Sequence, residues 1–224
     1  EGLTARQIVA VLDRAEGLTG EVPAPTEGAV LPETYAYAYG DARAAVLRRA
    51  EAAMAQTLAE AWAARSPDLP LASPREALVL ASIVERETGR PEELARVAGV
   101  FMNRLRRGMP LQSVPTVAYA AADGAALDRP LTRVDLDRDH PFNTYRNRGL
   151  PPGPIASPGR ESLRAVLHPE DNDFLYFVAD GSGGHAFART LDEHNRNVAQ
   201  WRKIKNGERP PPVSPPPPKP ETAG

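Results

Sequence analysis

An α+β fold dominated by helices and carrying a small β-hairpin or sheet is what the order of elements in this sequence predicts. Three observations carry that prediction. Helical apolar spacing recurs through residue 122. FLYFVAD and HAFART then flank a Gly-Ser-Gly-Gly turn, the pattern of a hairpin. A capping box at Thr190-Leu-Asp-Glu193 finally opens one more helix, reaching about Lys205.

Taken in order, residues 1–15 predict a short helix capped by Thr4, with Ile8, Val9, Val11 and Leu12 as its apolar positions. VPAPTEGAVLPETYAY is punctuated by proline and predicts turns with an extended segment. From Asp41 to about Arg65 an alanine-rich helix carries Leu47, Ala50, Met54, Leu58, Ala61 and Trp62 on one stripe; Trp62 reads as core rather than as a sugar platform. Ser73-Pro74-Arg75-Glu76 fits a capping box with proline at the first helical position. The helix it starts is apolar nearly all the way round from Leu78 to Val84, as a buried helix is.

A Gly-Arg-Pro break separates that helix from one over Pro91–Arg107. Leu94, Val97, Ala98, Phe101, Met102 and Leu105 form its core face. Glu92 and Glu93 at its start and Arg106 and Arg107 at its end suit the helix dipole, and Gly108 closes it. Residues 123–157 predict a long, weakly structured loop. Phe142, Asn143, Tyr145 and Asn147 stand there between prolines, a composition of a functional loop rather than a disordered one. A short helix over 160–168 precedes the hairpin. From Pro210 onward the chain reads as a polyproline tail.

Composition excludes several classes. With 27 basic and 29 acidic residues the charge is nearly balanced, which disfavours a nucleic-acid binder. No cysteine is present, so disulfides and thiolate chemistry are excluded. No apolar run approaches the roughly 18 residues of a membrane span. The first residue is Glu rather than Met, so the chain is expected to be a fragment from which a leader or anchor was removed. No serine sits in a G-x-S-x-G elbow, no phosphate-binding glycine loop is found, and His140, His168 and His194 lack metal-ligand spacing. No metal and no cofactor are expected.

What remains is acid chemistry. Glu85 and Glu87 end the apolar helix, where desolvation can tune a carboxyl into a general acid; the bland alternative is two solvated acids at a fraying helix end. At about 100° per residue the two side chains point roughly 200° apart, so they cannot form a two-carboxylate glycosidase pair. Glu85 shares its side with Leu78, Ala81 and Ser82, and Glu87 falls among Leu80, Ile83 and Val84. Periodicity does not choose between them: one acid acts and the other holds structure. His185, after the diglycine, is equally suited to a substrate contact and to a structural place in the hairpin.

Ala81-Ser-Ile-Val-Glu-Arg-Glu-Thr88, Val100-Phe-Met-Asn-Arg-Leu105, Met109-Pro-Leu-Gln-Ser113 with Pro115-Thr-Val117, Asn143-Thr-Tyr145, Gly149-Leu-Pro-Pro-Gly-Pro-Ile155 and Tyr176-Phe-Val-Ala-Asp180 with Gly183-Gly-His185 form an ordered series. Together with Glu27-Gly28 and Leu31-Pro-Glu-Thr-Tyr35 it closely resembles the MltG (YceG-like) endolytic murein transglycosylases, over roughly residues 27–200. One departure is Val114, where the family usually has Asp.

The resemblance implies a lyase of the periplasmic face of the inner membrane, held by an N-terminal anchor absent from this chain. It would cleave the glycosidic bond between N-acetylmuramic acid and N-acetylglucosamine and leave 1,6-anhydro ends. Its partners would be peptidoglycan glycan strands and peptidoglycan synthases. By position in the motif the catalytic acid would be Glu85, with Gln112, Asn143, Tyr145 and His185 on the substrate and Glu87 and Asn103 in support. Residues 1–40 would be the remnant of a LysM-like region and its connector, 41–207 the catalytic domain and 208–224 a disordered Pro-rich tail. The rival reading is a non-catalytic peptidoglycan-binding or scaffold module.

Overall fold

The computed structural model describes residues 1–207, so the Pro-rich tail lies outside the described residues. The chain divides into two compact units, Glu1–Leu175 and a second that begins at Tyr176. Helix-dominated, with one two-stranded antiparallel sheet, it matches the expected α+β class. No helix among the described residues is long and apolar enough to cross a membrane.

The first unit is organised around one helix, α3. In chain order its helices are α1 (Ala5–Asp13), α2 (Arg43–Ala63), α3 (Pro74–Glu87), α4 (Leu94–Arg106, led in by a 3-10 turn at Pro91–Glu93), α5 (Val114–Ala122), α6 (Arg133–Asp137) and α7 (Arg160–Leu167). Helix α3 packs against α2, α4, α5 and α7, which explains why its sequence has no polar stripe before Glu85. Ala77, Leu80, Ala81, Ile83 and Val84 are fully buried there. Each large side chain contributes about 1.5–3 kcal/mol by leaving water. Ser73 accepts from the Glu76 amide at 3.2 Å as the capping box requires, but Glu76 reaches back to the amide of Ala72 rather than Ser73.

Residues 1–40 pack with the helical unit rather than standing apart from it. Val30, Leu47 and Ala50 form a small core with Ile8, Leu12, Val22 and Tyr35 against it, joining α1 to α2. Thr4 caps α1 in a full box with Gln7, and its hydroxyl also donates to the Gly124 carbonyl at 2.6 Å. Glu27 accepts from the Ala5 amide (2.8 Å) and the Tyr119 hydroxyl (3.1 Å), tying α1 to α5. Burial pushes the Glu27 carboxyl up, against the lowering effect of those hydrogen bonds. The division of the chain falls at Tyr176. Trp62 is half-buried with the Arg65 guanidinium 4.1 Å over its ring, so it is only partly the core residue expected.

The long loop is ordered by its own polar groups. Thr132 and Asp135 form a capping box for α6, and Arg129 grips Asp135 through two hydrogen bonds of 2.7 and 2.8 Å. The Arg129 guanidinium holds the Asp135 carboxyl well below the usual carboxylate range, aided by the Thr132 amide and hydroxyl. Gly99 in α4 is a close-approach position: a Cβ there would lie 2.5 Å from the Glu170 carbonyl.

The second unit pairs β1 (Tyr176–Ala179) with β2 (His185–Ala188), Phe177 opposite Phe187 and Ala179 opposite His185. Ser182 donates twice to the Asp180 carboxylate across the turn, while Gly181 and Gly183 take φ of 87° and 89°. Helix α8 (Leu191–Lys205), started by the predicted box of Thr190 and Glu193, packs on both strands.

Candidate active site

Helix α3 delivers its two acids to different neighbours. Both side chains are half-buried. Glu85 Oε2 accepts from the Gly159 amide at 2.9 Å and from Ser162 Oγ at 2.7 Å, the N-cap residue and first turn of α7. Glycine has no side chain to cap its own helix, so a carboxylate 74 residues earlier in the chain does it, at the positive end of the helix dipole. Glu85 is therefore engaged in joining α3 to α7.

Glu87 meets a different surface. Ser113 Oγ donates to its Oε1 at 2.5 Å. Ser113 is the N-cap residue of α5, in the turn that follows α4. Just before it Gln112 is exposed and takes a left-handed backbone at φ 53°, a conformation that costs a non-glycine residue about 1 kcal/mol or more. That turn is clamped from below by Arg104 on α4. The buried guanidinium donates to the carbonyls of Pro110 (3.0 Å), Leu111 (3.0 Å) and Leu175 (2.7 Å) and to Gln112 Oε1 (3.2 Å). Tyr145 completes this corner. Burial pushes its phenol up, the charge of Glu87 adds to the shift, and Arg104 opposes it. The Glu87 carboxyl and the exposed Gln112 thus meet at one turn, with the Tyr145 phenol near enough to feel the charge of Glu87.

The remaining sequence candidates fall as follows. Asn143 is 1% exposed, and its amide is spent inside the protein. It donates to the carbonyls of Leu136 (2.9 Å) and Arg138 (2.8 Å) and accepts from the Tyr145 amide (3.0 Å). These bonds fold the loop that carries Tyr145. Asn103 does not brace either acid; its amide nitrogen donates to the carbonyls of Asn172 (2.8 Å) and Phe174 (3.0 Å). It lies on the face of α4 that meets residues 172–174. His185 belongs to the second unit, edge-on to Phe177 with ring centres 5.3 Å apart.

Sequence reasoning singled out neither Ser113 nor Ser162. The Ser113-x-x-Thr116 spacing at the start of an apolar helix was the available signal for the first. Among the described residues no group of three or more His, Cys, Asp or Glu is arranged to hold a metal.

The whole of this architecture has relatives. A model of the YceG-like family matches residues 1–200. The chain is 38% identical over 182 residues to an endolytic murein transglycosylase of Bacillus subtilis, covering 81% of this chain and 49% of that protein. To an endolytic murein transglycosylase of Streptococcus pneumoniae it is 35% identical over 179 residues, 78% of this chain and 32% of the relative. It therefore spans about half the length, or less, of these curated relatives. A crystal structure of a putative YceG-like protein from Listeria monocytogenes superposes with a TM-score of 0.68 at 33% identity, over 85% of this chain and 63% of that one. With a family model matched across nearly its full length, the chain belongs to the YceG-like family.

Proposed function

We propose that this chain is the catalytic part of an endolytic peptidoglycan transglycosylase, a lyase that cuts between N-acetylmuramic acid and N-acetylglucosamine and terminates nascent strands with 1,6-anhydro ends. The names of its relatives support the reaction class. The corner around Glu87 supports the chemistry, and the observation that carries the assignment is the division of labour between the acids. Glu85, first choice by motif position, is engaged at the start of α7, whereas Glu87 stands with Ser113, Tyr145 and the exposed Gln112. The proton-transfer role accordingly moves from Glu85 to Glu87.

In this reading the Glu87 carboxyl first donates its proton to the glycosidic oxygen, so that the N-acetylglucosamine side leaves as a neutral alcohol. As carboxylate it then takes the proton of the muramic 6-hydroxyl. That oxygen forms a bond to its own anomeric carbon, closing the anhydro ring and returning the proton to Glu87. One carboxyl serves both steps and no water is consumed, which suits a helix whose second acid faces elsewhere. Within the first unit Gln112 and Tyr145 bind the glycan beside it; His185, on the second unit, is a substrate contact on the strength of the resemblance alone. Glycan strands and peptidoglycan synthases are the proposed partners, at the periplasmic face of the inner membrane through an N-terminal anchor, with residues 1–40 derived from a LysM-like region.

Mass analysis of products from purified glycan strands tests this. Anhydro ends are the expected result. Reducing ends would make the enzyme a muramidase, and intact strands would leave a peptidoglycan-binding module.

A further inference from the structure

Behind Ser113 lies a closed ring of hydrogen bonds in which each proton has one place to go. The Ser113 amide donates to Thr144 Oγ1 at 2.9 Å. Thr116 Oγ1 lies 2.7 Å from the Ser113 carbonyl, which can only accept, so the Thr116 hydroxyl proton is committed there. The two threonine oxygens are 2.8 Å apart, and with the Thr116 proton already placed Thr144 must be the donor between them. Amide to Thr144, Thr144 to Thr116 and Thr116 back to the carbonyl of Ser113 complete the circuit. All three residues are at most 1% exposed. Only the Ser113 hydroxyl leaves the ring, and it donates to Glu87.

We propose that Thr116 and Thr144 are positioning residues for the reaction: their hydroxyls fix the backbone of Ser113 on both sides, so that its side chain holds the Glu87 carboxyl in the orientation proton transfer needs. This rests on the assignment of Glu87 as the acid. The ring joins the start of α5 to the loop that carries Tyr145, so it sets the acid and a substrate-facing phenol in register together. A fixed ring is the form of preorganisation that misplacement by about 1 Å can degrade as much as 100-fold. Neither threonine reaches the glycan, so the loss falls on turnover and not on binding.

The test compares Thr116→Val, which keeps the shape and removes the hydroxyl, with Thr116→Ser, which keeps the hydroxyl, and with Glu87→Gln in the same assay on uncrosslinked glycan strands. The expected result is kcat lowered about 10- to 100-fold in Thr116→Val at unchanged KM, with Thr116→Ser restoring it to within about threefold of the parent. Equal kcat in the valine and serine variants overturns the ring's role while Glu87→Gln is inactive; an active Glu87→Gln overturns the acid assignment instead. Should Thr116→Val not fold, as read by circular dichroism, Ser113→Ala decides, since it removes only the hydroxyl on Glu87. A kcat loss of the same order at parental KM supports the proposal, and parental kcat overturns it.

Discussion

Glu85 and Glu87 stand two residues apart on one helix, and their surroundings differ more than their sequence neighbourhood suggests. The first faces the start of α7, where a backbone amide and Ser162 converge on a single oxygen. The second faces a turn held by Arg104, where the Ser113 hydroxyl donates to it beside the exposed Gln112 and within the electrostatic reach of Tyr145. The comparison teaches that a carboxylate's role is set by what the other elements bring to it. Glu85 joins two helices of the core; Glu87 borders groups able to bind a sugar.

The most severe way to break this comparison is Glu87→Gln. Cleavage should fall by a factor of at least about 100 with the melting temperature close to the parent's, as loss of a general acid does. Cleavage near the parental rate would return the chemistry to Glu85. The converse change, Glu85→Ala, should act on stability. It leaves the buried Ser162 hydroxyl and the Gly159 amide without their acceptor, a loss of about 1–3 kcal/mol in denaturant unfolding, with measurable activity where the fold persists. An undiminished unfolding midpoint would contradict the capping role.

Acid titration sharpens the contrast at the loop that supports Tyr145. The Asp135 carboxyl sits below its ordinary value of 3.8 because Arg129 and Thr132 favour its charged form. Its contribution is therefore complete above about pH 4 and is lost as pH falls from there through the native value. Asp135→Asn should flatten the acid limb of the stability curve; an unchanged limb would rule this source out. The smallest expected effect is Val114→Asp. Val114 is 47% exposed at the first position of α5, where a negative charge meets the positive end of the helix dipole. A gain of about 0.3–1 kcal/mol is expected in thermal unfolding, and a loss would show that the valine packs productively.

Much of the fold was legible because local chemistry decided it. The apolar circumference of α3 announced burial on every side, and the cap at Thr4 and the box at Thr190 marked helix starts that the structure keeps. The short helix α6 was hidden inside a loop-like stretch, since five residues leave too little periodicity to detect. The candidate site was legible as a set of motifs but not as an assignment of roles. An i, i+2 spacing says that two acids diverge without saying where each arrives. The answer lay 74 and 77 residues away for Glu85 and 26 away for Glu87. Asn143 reads from sequence as a substrate contact and Asn103 as a support for the acid, because nothing local to either reveals the carbonyls that its amide meets.

The most direct test is a crystal structure of the Glu87→Gln variant with an uncleaved glycan strand bound. The scissile glycosidic oxygen is expected within hydrogen-bond reach of the residue 87 side chain, about 2.6–3.2 Å, with Tyr145 and Gln112 against the sugars. A strand whose scissile bond lies instead beside Glu85, with its hydrogen bonds to Gly159 and Ser162 broken, would contradict the account.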